Sequence, residues 1–385
     1  MNKVKNAAHR AALPAPRTAA TVMASLFFIA LLLKNPDISI QYVTRGLRLC
    51  CTAVIPTLFP FMVLSELLVR TGGGELMGRA LAAPMRALFG LSGAGSCAFL
   101  LGAVCGFPVG TRAAVMLYDR GLLERSEAER LISFCNYPSS AFMISATGAA
   151  LWQNRQLGAA MYASVLAAGV IAGIISGIPA RRAAKKEGVV PTDMPHIVRK
   201  PQPTALSDSV TAAATSTLNV CAYVAFFSCV VGCISHILAR ISPSRTVEAA
   251  IYSFFELTSG AAASAAVIPS RTGILMCTAA AGWSGLSVAL QVFSVCSSSE
   301  RPHPRMTAYL VSKAVQAPLA AILMSILLRL FPALAENAAD AVVIFPPCSE
   351  ITAYSAAMLI FFTAALGARA LKKAKEKTRK IEKSF

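Results

Sequence analysis

From Leu91 to Thr147 the sequence is apolar and helix-forming enough to enter a bilayer, yet Gly106-Phe107-Pro108-Val109-Gly110 interrupts it. Arg112 follows the interruption and is the only charge between Leu91 and Tyr118. A non-helical backbone at membrane depth carries amide and carbonyl groups that hydrocarbon cannot satisfy. Such breaks survive only inside protein or beside a wet cavity. The stretch therefore reads as the wall of a solute site in an all-α polytopic membrane protein with broken or re-entrant helices.

The rest of the chain fits that class. Of 385 residues, 56% are hydrophobic and 14% charged, and mean hydropathy is +0.61, far more apolar than a soluble domain of this length needs. The net charge of +18 would suit nucleic acid as a partner. However, the basic residues gather in the first seventeen positions, in 181–200 and in 369–385, between or beyond the apolar runs. Cytoplasmic loops have that pattern under the positive-inside rule, so the expected partner is the lipid bilayer, with no nucleic acid and with both termini cytoplasmic. The basic tail also suits anionic lipid.

The eleven cysteines are odd in number and lie almost wholly in apolar runs, which predicts buried free thiols rather than a disulfide framework. His9, His196, His236 and His303 lack ligand spacing, so neither a metal nor a cofactor is expected. There is no Walker A loop and no Ser/His/Asp or Cys/His constellation, which argues against an enzyme or an ATP-driven pump.

In chain order, 1–44 reads as a basic N-terminus and a first, uncleaved transmembrane helix at Thr21–Leu33. Gly46–Val69 is long enough to span but carries Pro56 and Pro60, so a kink or break is expected. Glu75–Phe89 reads as a short amphipathic helix. In the charged stretch 119–130, Ser126 is the expected N-cap of the next helix, with Glu129 at its capping-box position. Leu131–Leu151 is interrupted around Asn136-Tyr137-Pro138, and Leu157–Ile178 carries Gly169, Gly173 and Gly177 at a spacing that lets another helix approach.

The basic linker 181–208 then separates a first repeat, 45–180, from a second, 209–368, which precedes the tail 369–385. Parity with a cytoplasmic linker and tail requires an even number of crossings after the linker. Runs 210–238, 273–296, 306–330 and 351–367 supply them, leaving Ala249–Val267 non-spanning. In the first half one apolar run is surplus, and 131–151 is the expected re-entrant one. The acidic loop with Glu336, Asp340 and Glu350 should face away from the cytoplasm. Residues 102–112 weakly echo Ala280–Val288, and the two halves run in opposite directions by this parity. The expectation is two inverted repeats and about 8–10 membrane segments, with sites near the midplane between the repeats.

At these residues the chain resembles the sporulation integral membrane protein YlbJ family, within the broader group carrying the nucleoside-transporter/ferrous-iron-transporter Gate domain. The resemblance spans roughly residues 45–180 and, more loosely, 210–330. It is carried by Pro56–Glu66, by Gly106–Gly110 with Arg112, and by Glu129-Arg130-Leu131 with Phe134 and Asn136. Further along it is carried by Glu256–Gly260 and by Gly285–Val288 with Gln291. It implies a multi-pass, transport-like component of endospore formers, linked to movement of dipicolinate across the outer forespore membrane. The proline expected near Ser140 stands at Pro138, and alanine stands at 289 where a histidine is expected; both departures bear on the substrate more than on the fold.

Holding Arg112 at mid-depth costs about 2.5–3.5 kcal/mol on insertion scales. A helix N-terminus after Pro108 offers an anion only about 0.3–1 kcal/mol, or ~2 when partly buried. A guanidinium, able to bind a carboxylate bidentately, is the stronger ligand. Arg112, with the backbone of Gly106, Phe107, Pro108 and Gly110, is therefore the expected seat of a small anionic solute. The alternative is an internal ion pair with Glu129 or Glu256. Asn136 and Gln291 are solute ligands or interhelical hydrogen bonds, and Ser287 is a ligand for a coupling ion (H+ or Na+) or an ordinary interface serine. Glu256 is a proton-coupling carboxylate or a partner for Arg271. Transport is the leading functional expectation, a non-transporting sporulation scaffold is the other, and a homo-oligomer fits either.

Overall fold

The computed structural model describes residues 16–187, 204–268 and 270–336. Residues 1–15, most of the linker, nearly all of the acidic loop, the expected span at 351–367 and the basic tail lie outside the described residues. Every regular element among the described residues is helical.

Helix α1 (Pro16–Lys34) meets α2 (Pro36–Leu49) at Asn35, and the two are bent by 101°. Pro36 forces this, since the residue before a proline is driven out of the helical region and Asn35 has φ −136°. Helix α2 then continues through a wide turn at Cys50–Val54 into α3 (Ile55–Arg70). Pro56 has no N–H to offer the Thr52 carbonyl. The ladder widens there, with Ile55 N–H donating to Cys50 O, so the expected break becomes a π turn and the helix runs on.

Helix α4 (Gly73–Pro84), prolonged by Met85–Phe89, matches the expected amphipathic helix. Next come α5 (Gly95–Cys105) and α6 (Val109–Asp119). A side-chain carbon built on Gly102 would sit 3.2 Å from Gly110 Cα. Eight residues of straight helix would separate them by roughly 12 Å. The chain therefore reverses at 106–108, making α5 and α6 a hairpin rather than two parts of a through-going helix.

Helix α7 (Arg125–Phe134) starts at Glu124, not at Ser126, and its capping box pairs Glu124 with Glu127, not with Glu129. Glu127 also accepts from Ser92 N at 2.7 Å, which anchors this start to the turn before α5. The backbone unwinds over 135–139 before α8 (Phe142–Leu151), and α9 (Arg155–Glu187) follows. Helices α7 and α8 do not pack along one another, so the doubled-back element of the first half is 95–119 and not 131–151.

The second half runs α10 (Ala205–Leu238), α11 (Arg245–Phe255), α12 (Leu257–Ala265), α13 (Ser270–Trp283), α14 (Gly285–Ser297), α15 (Thr307–Leu330) and α16 (Ala333–Glu336). Helices α11 and α12 fold onto each other, with Gly260 against the Ser253 backbone. Neither arm, of 11 and 9 residues, is long enough to cross a membrane. Helices α13 and α14 form one span, Ser270–Ser297, interrupted at Ser284, which has φ 73°.

Each half therefore contains a long helix, a hairpin, a broken helix and another long helix, and the packing between halves is reciprocal. Helix α7 lies on α15 as α13 lies on α9; α8 meets α12 as α14 meets α6. The echo between 102–112 and 280–288 joins unlike elements, a hairpin tip and a broken helix. In the core, Phe89 stacks on Phe134 with centroids 4.7 Å apart. Gly173 and Gly177 of α9 leave room for these two rings and for the Phe89 backbone, the close approach that their spacing predicts. The ten cysteines among the described residues are free thiols.

Four described helices are long and apolar enough to cross a membrane, and the bent pair α1–α2 makes a fifth. The expected segment count is higher because it includes 351–367 and hairpin arms. An arm of 11 residues rises only roughly 16 Å against a hydrocarbon core of about 30 Å.

A methyl at Gly102 would lie 1.8 Å from the Cys135 carbonyl oxygen, a contact that only backbone movement can relieve. Gly102→Ala is expected to lower stability by about 3 kcal/mol or more. Gly121→Ala, in open space with φ +76°, should cost about 1–2 kcal/mol. Thermal unfolding in detergent measures both, and an unchanged Gly102→Ala midpoint would mean that hairpin and broken helix are not in contact.

Candidate functional site

The two breaks face two hairpin tips. In the first half, Phe107 N–H donates to Tyr137 O at 2.8 Å, so the α5–α6 tip supplies a donor to the unwound stretch. Gly106 has φ +83°, and any side-chain carbon there would sit 2.6 Å from Ser139 N. Glycine is needed both for the turn and for the approach. Asn136 is fully buried; its Oδ1 accepts from Thr111 Oγ1 at 2.7 Å and its Nδ2 donates to Ile132 O at 2.7 Å. Its side chain stitches the break to α6.

In the second half the tip is Glu256, extended at φ −148° between α11 and α12. Its buried carboxylate caps α12, accepting from Thr258 N at 2.8 Å, from Ser259 N at 2.7 Å and from Thr258 Oγ1. A carboxylate is favoured at a helix N-terminus by the free amides and the dipole. Gly285, φ +84°, lies against the Phe255–Leu257 backbone, bringing this tip onto the second break. Ser287 and Gln291 share one face of α14 just beyond, both buried. Gln291 Nε2 donates to Ser287 Oγ at 3.3 Å, while Gln291 Oε1 has no partner among the described residues.

One side chain joins the two breaks. Lys313 of α15 is 1% exposed. Its Nζ donates to Asn136 O at 2.5 Å, to Ser284 Oγ at 3.2 Å and to Gln316 Oε1 at 3.4 Å. Gln316 Nε2 in turn holds Ser133 O at 3.0 Å and Ser312 Oγ at 2.8 Å. Among the described residues no carboxylate lies within ion-pair distance of Nζ. A cation buried in a span with only neutral acceptors is costly, which makes it a functional candidate. Sequence reasoning missed Lys313, although the signal that singled out Arg112 is present: it is the only charge between Met306 and Leu328.

Arg112 lies elsewhere. Its Nε pairs with Glu66 of α3, and Arg70 Nε meets the other Glu66 oxygen at 3.3 Å. Glu66 is 2% exposed and Arg112 25%. The crevice beside the pair is lined by Met62, Ser65, Val69, Val109, Ala113 and Met116. All belong to α3 or α6, so this is not a cavity shared by the two halves. Of the expected ion-pair partners, Glu129 binds Arg125 at 3.0 Å and the Arg305 amide at 3.0 Å, and Glu256 caps α12 rather than meeting Arg112 or Arg271. Glu66 replaces both because the reversal at 106–108 lays α6 along α3. The structure thus groups Gly106, Phe107, Pro108, Gly110 and Asn136 on one side and Glu256, Ser287 and Gln291 on the other.

The chain is similar to the sporulation integral membrane protein YlbJ of Bacillus subtilis (strain 168), with 29% identity over 217 residues, 53% of each chain. The match thus spans about half the length of that curated relative, and it supports the assignment to the YlbJ family drawn from the motifs. No family model and no solved structure matches the chain.

Removing one partner of a buried pair strands the other charge, typically at about 3–5 kcal/mol. Because both guanidiniums are partly exposed, and water can screen them once the carboxylate is gone, Glu66→Gln is expected to cost about 2–3 kcal/mol. Glu66→Gln with Arg112→Gln should recover at least 1 kcal/mol of that, roughly the scale of direct coupling between neighbours. A double-mutant cycle on detergent unfolding midpoints checks the coupling, and strict additivity would contradict it.

Proposed function

We propose that this integral membrane protein is a transporter for a small organic anion, with dipicolinate, implied by the motif resemblance, as the candidate solute during endospore formation. The observation that carries the reading is the paired docking of each hairpin tip on the unwound backbone of a broken helix. Non-helical backbone within a bilayer lines either protein or a water-filled path, and here each break is covered by an element held through few bonds. A single backbone hydrogen bond such as Phe107 to Tyr137 contributes about 0.5–1.5 kcal/mol net. A tip can part from its break where water takes over the freed backbone groups.

In this reading the halves are inserted in opposite senses, and the tips part in turn, one on each side of the membrane. The solute passes Gly106, Phe107, Pro108, Gly110 and Asn136 on one side and Ser287 and Gln291 on the other. Arg112, held by Glu66, positions α6 against α3. Protonation of Glu256 would release the α12 cap and is the proposed point of coupling if the driving ion is H+; a Na+ ion would instead use the oxygens of Ser287 and the unwound carbonyls. The sporulation context of the relative supports a place in the cytoplasmic or outer forespore membrane, with the basic segments on the cytoplasmic side.

Purified protein in liposomes should accumulate labelled dipicolinate above protein-free vesicles, and an imposed pH or Na+ gradient identifies the coupling ion. Asn136→Ala, which unstitches the first break, is expected to lower the initial rate at least about tenfold, the scale of one lost buried hydrogen bond. Uptake no greater than in empty vesicles would contradict transport and favour a scaffold.

A further inference from the structure

We propose that Lys313 and Tyr309 form an anion subsite at the junction of the two halves, where Nζ and the phenol hydroxyl together receive one carboxylate of the solute. The proposal deepens the transport reading and rests on it. Tyr309 and Lys313 leave α15 one turn apart on the same face, with Nζ 5.9 Å from the ring centre. Both are 1% exposed. The tyrosine hydroxyl has no hydrogen-bond partner among the described residues, and the ammonium has no counter-charge there. Two neighbouring buried donors, one unused and one un-neutralised, suit a guest that brings negative charge and acceptor oxygens.

The present contacts of Nζ can yield to such a guest. The bond to Asn136 O is short, whereas those to Ser284 Oγ and Gln316 Oε1, at 3.2 and 3.4 Å, are long. Giving up the long ones strands no donor: Ser284 Oγ also donates to Ala281 O at 3.2 Å, and Gln316 Nε2 keeps Ser133 O and Ser312 Oγ. A carboxylate can therefore take their place while Nζ stays anchored to the first break. Ser284 itself sits in the left-handed region at the second break, and α15 packs on both α7 and α13, so a guest on Nζ would touch both broken helices. Arg112 offers less, because Glu66 already neutralises it.

The test compares Tyr309→Phe, Lys313→Met and wild type, full length, in dipicolinate binding in detergent and uptake in liposomes. Because the hydroxyl bonds none of the described residues, Tyr309→Phe should unfold at or above the wild-type temperature, yet bind dipicolinate roughly tenfold more weakly. Lys313→Met should lose roughly 100-fold or more, and the neutral diamide analogue should not compete with dipicolinate at the wild type. If Lys313→Met does not fold, Tyr309→Phe decides alone. Wild-type affinity in Tyr309→Phe, or in folded Lys313→Met, while the wild type still accumulates dipicolinate, overturns the subsite and leaves transport standing. A wild type that neither binds nor accumulates it overturns both.

Discussion

In hydrocarbon every backbone N–H and C=O needs a partner, at several kcal/mol for each one left bare. This chain unwinds its backbone at 135–139 and at Ser284, and its architecture follows from satisfying those stretches. Each break is covered by the reversal of a short hairpin, with glycine where backbone must meet backbone: Gly102, Gly106 and Gly110 of the first hairpin, and Gly285 of the second broken helix beneath its tip. The long helices α9 and α15 then wall the assembly, each packed on the broken helix of the other half. Both large apolar cores draw residues from both halves, so the breaks are fixed relative to each other.

The three buried charges among the described residues are handled in different ways. Glu66 is neutralised by two guanidiniums, which makes it a strut between α3 and α6. Glu256 is stabilised by the amides of a helix start. Lys313 alone has neither a counter-charge nor a helix end among the described residues, only neutral oxygens from its own helix and from the two breaks. The proposed preference for anions rests on this lone positive charge, placed where two unwound segments meet.

Much of this was legible in the sequence. The break at 106–110, the interruption at 136–138 and the glycine seam of α9 follow from local rules about proline, glycine and spacing, whereas the reading of 249–267 as non-spanning comes from counting crossings. What was not legible was direction. A Gly-Phe-Pro break has the same composition whether the chain continues or reverses, and only the contact of Gly102 with Gly110 shows the reversal. That reversal lays Arg112 against Glu66, a residue 46 positions earlier, and no spacing rule links the two. The same uncertainty paired a hairpin tip with a broken helix in the internal echo. Lys313 was legible as a lone intramembrane charge, but helix α15 reads as an ordinary span, and only its packing brings Nζ to both breaks.

The proposed transport requires that the first hairpin tip and the unwound backbone beneath it form one closed unit that parts as the solute passes. Hydrogen exchange of the protein in lipid nanodiscs, read by mass spectrometry on peptides covering 104–110 and 134–140, tests it most directly. Both segments should be protected without solute, and their exchange should change together when dipicolinate is added. Fast, independent exchange of the two segments, or exchange indifferent to the anion, would contradict the account.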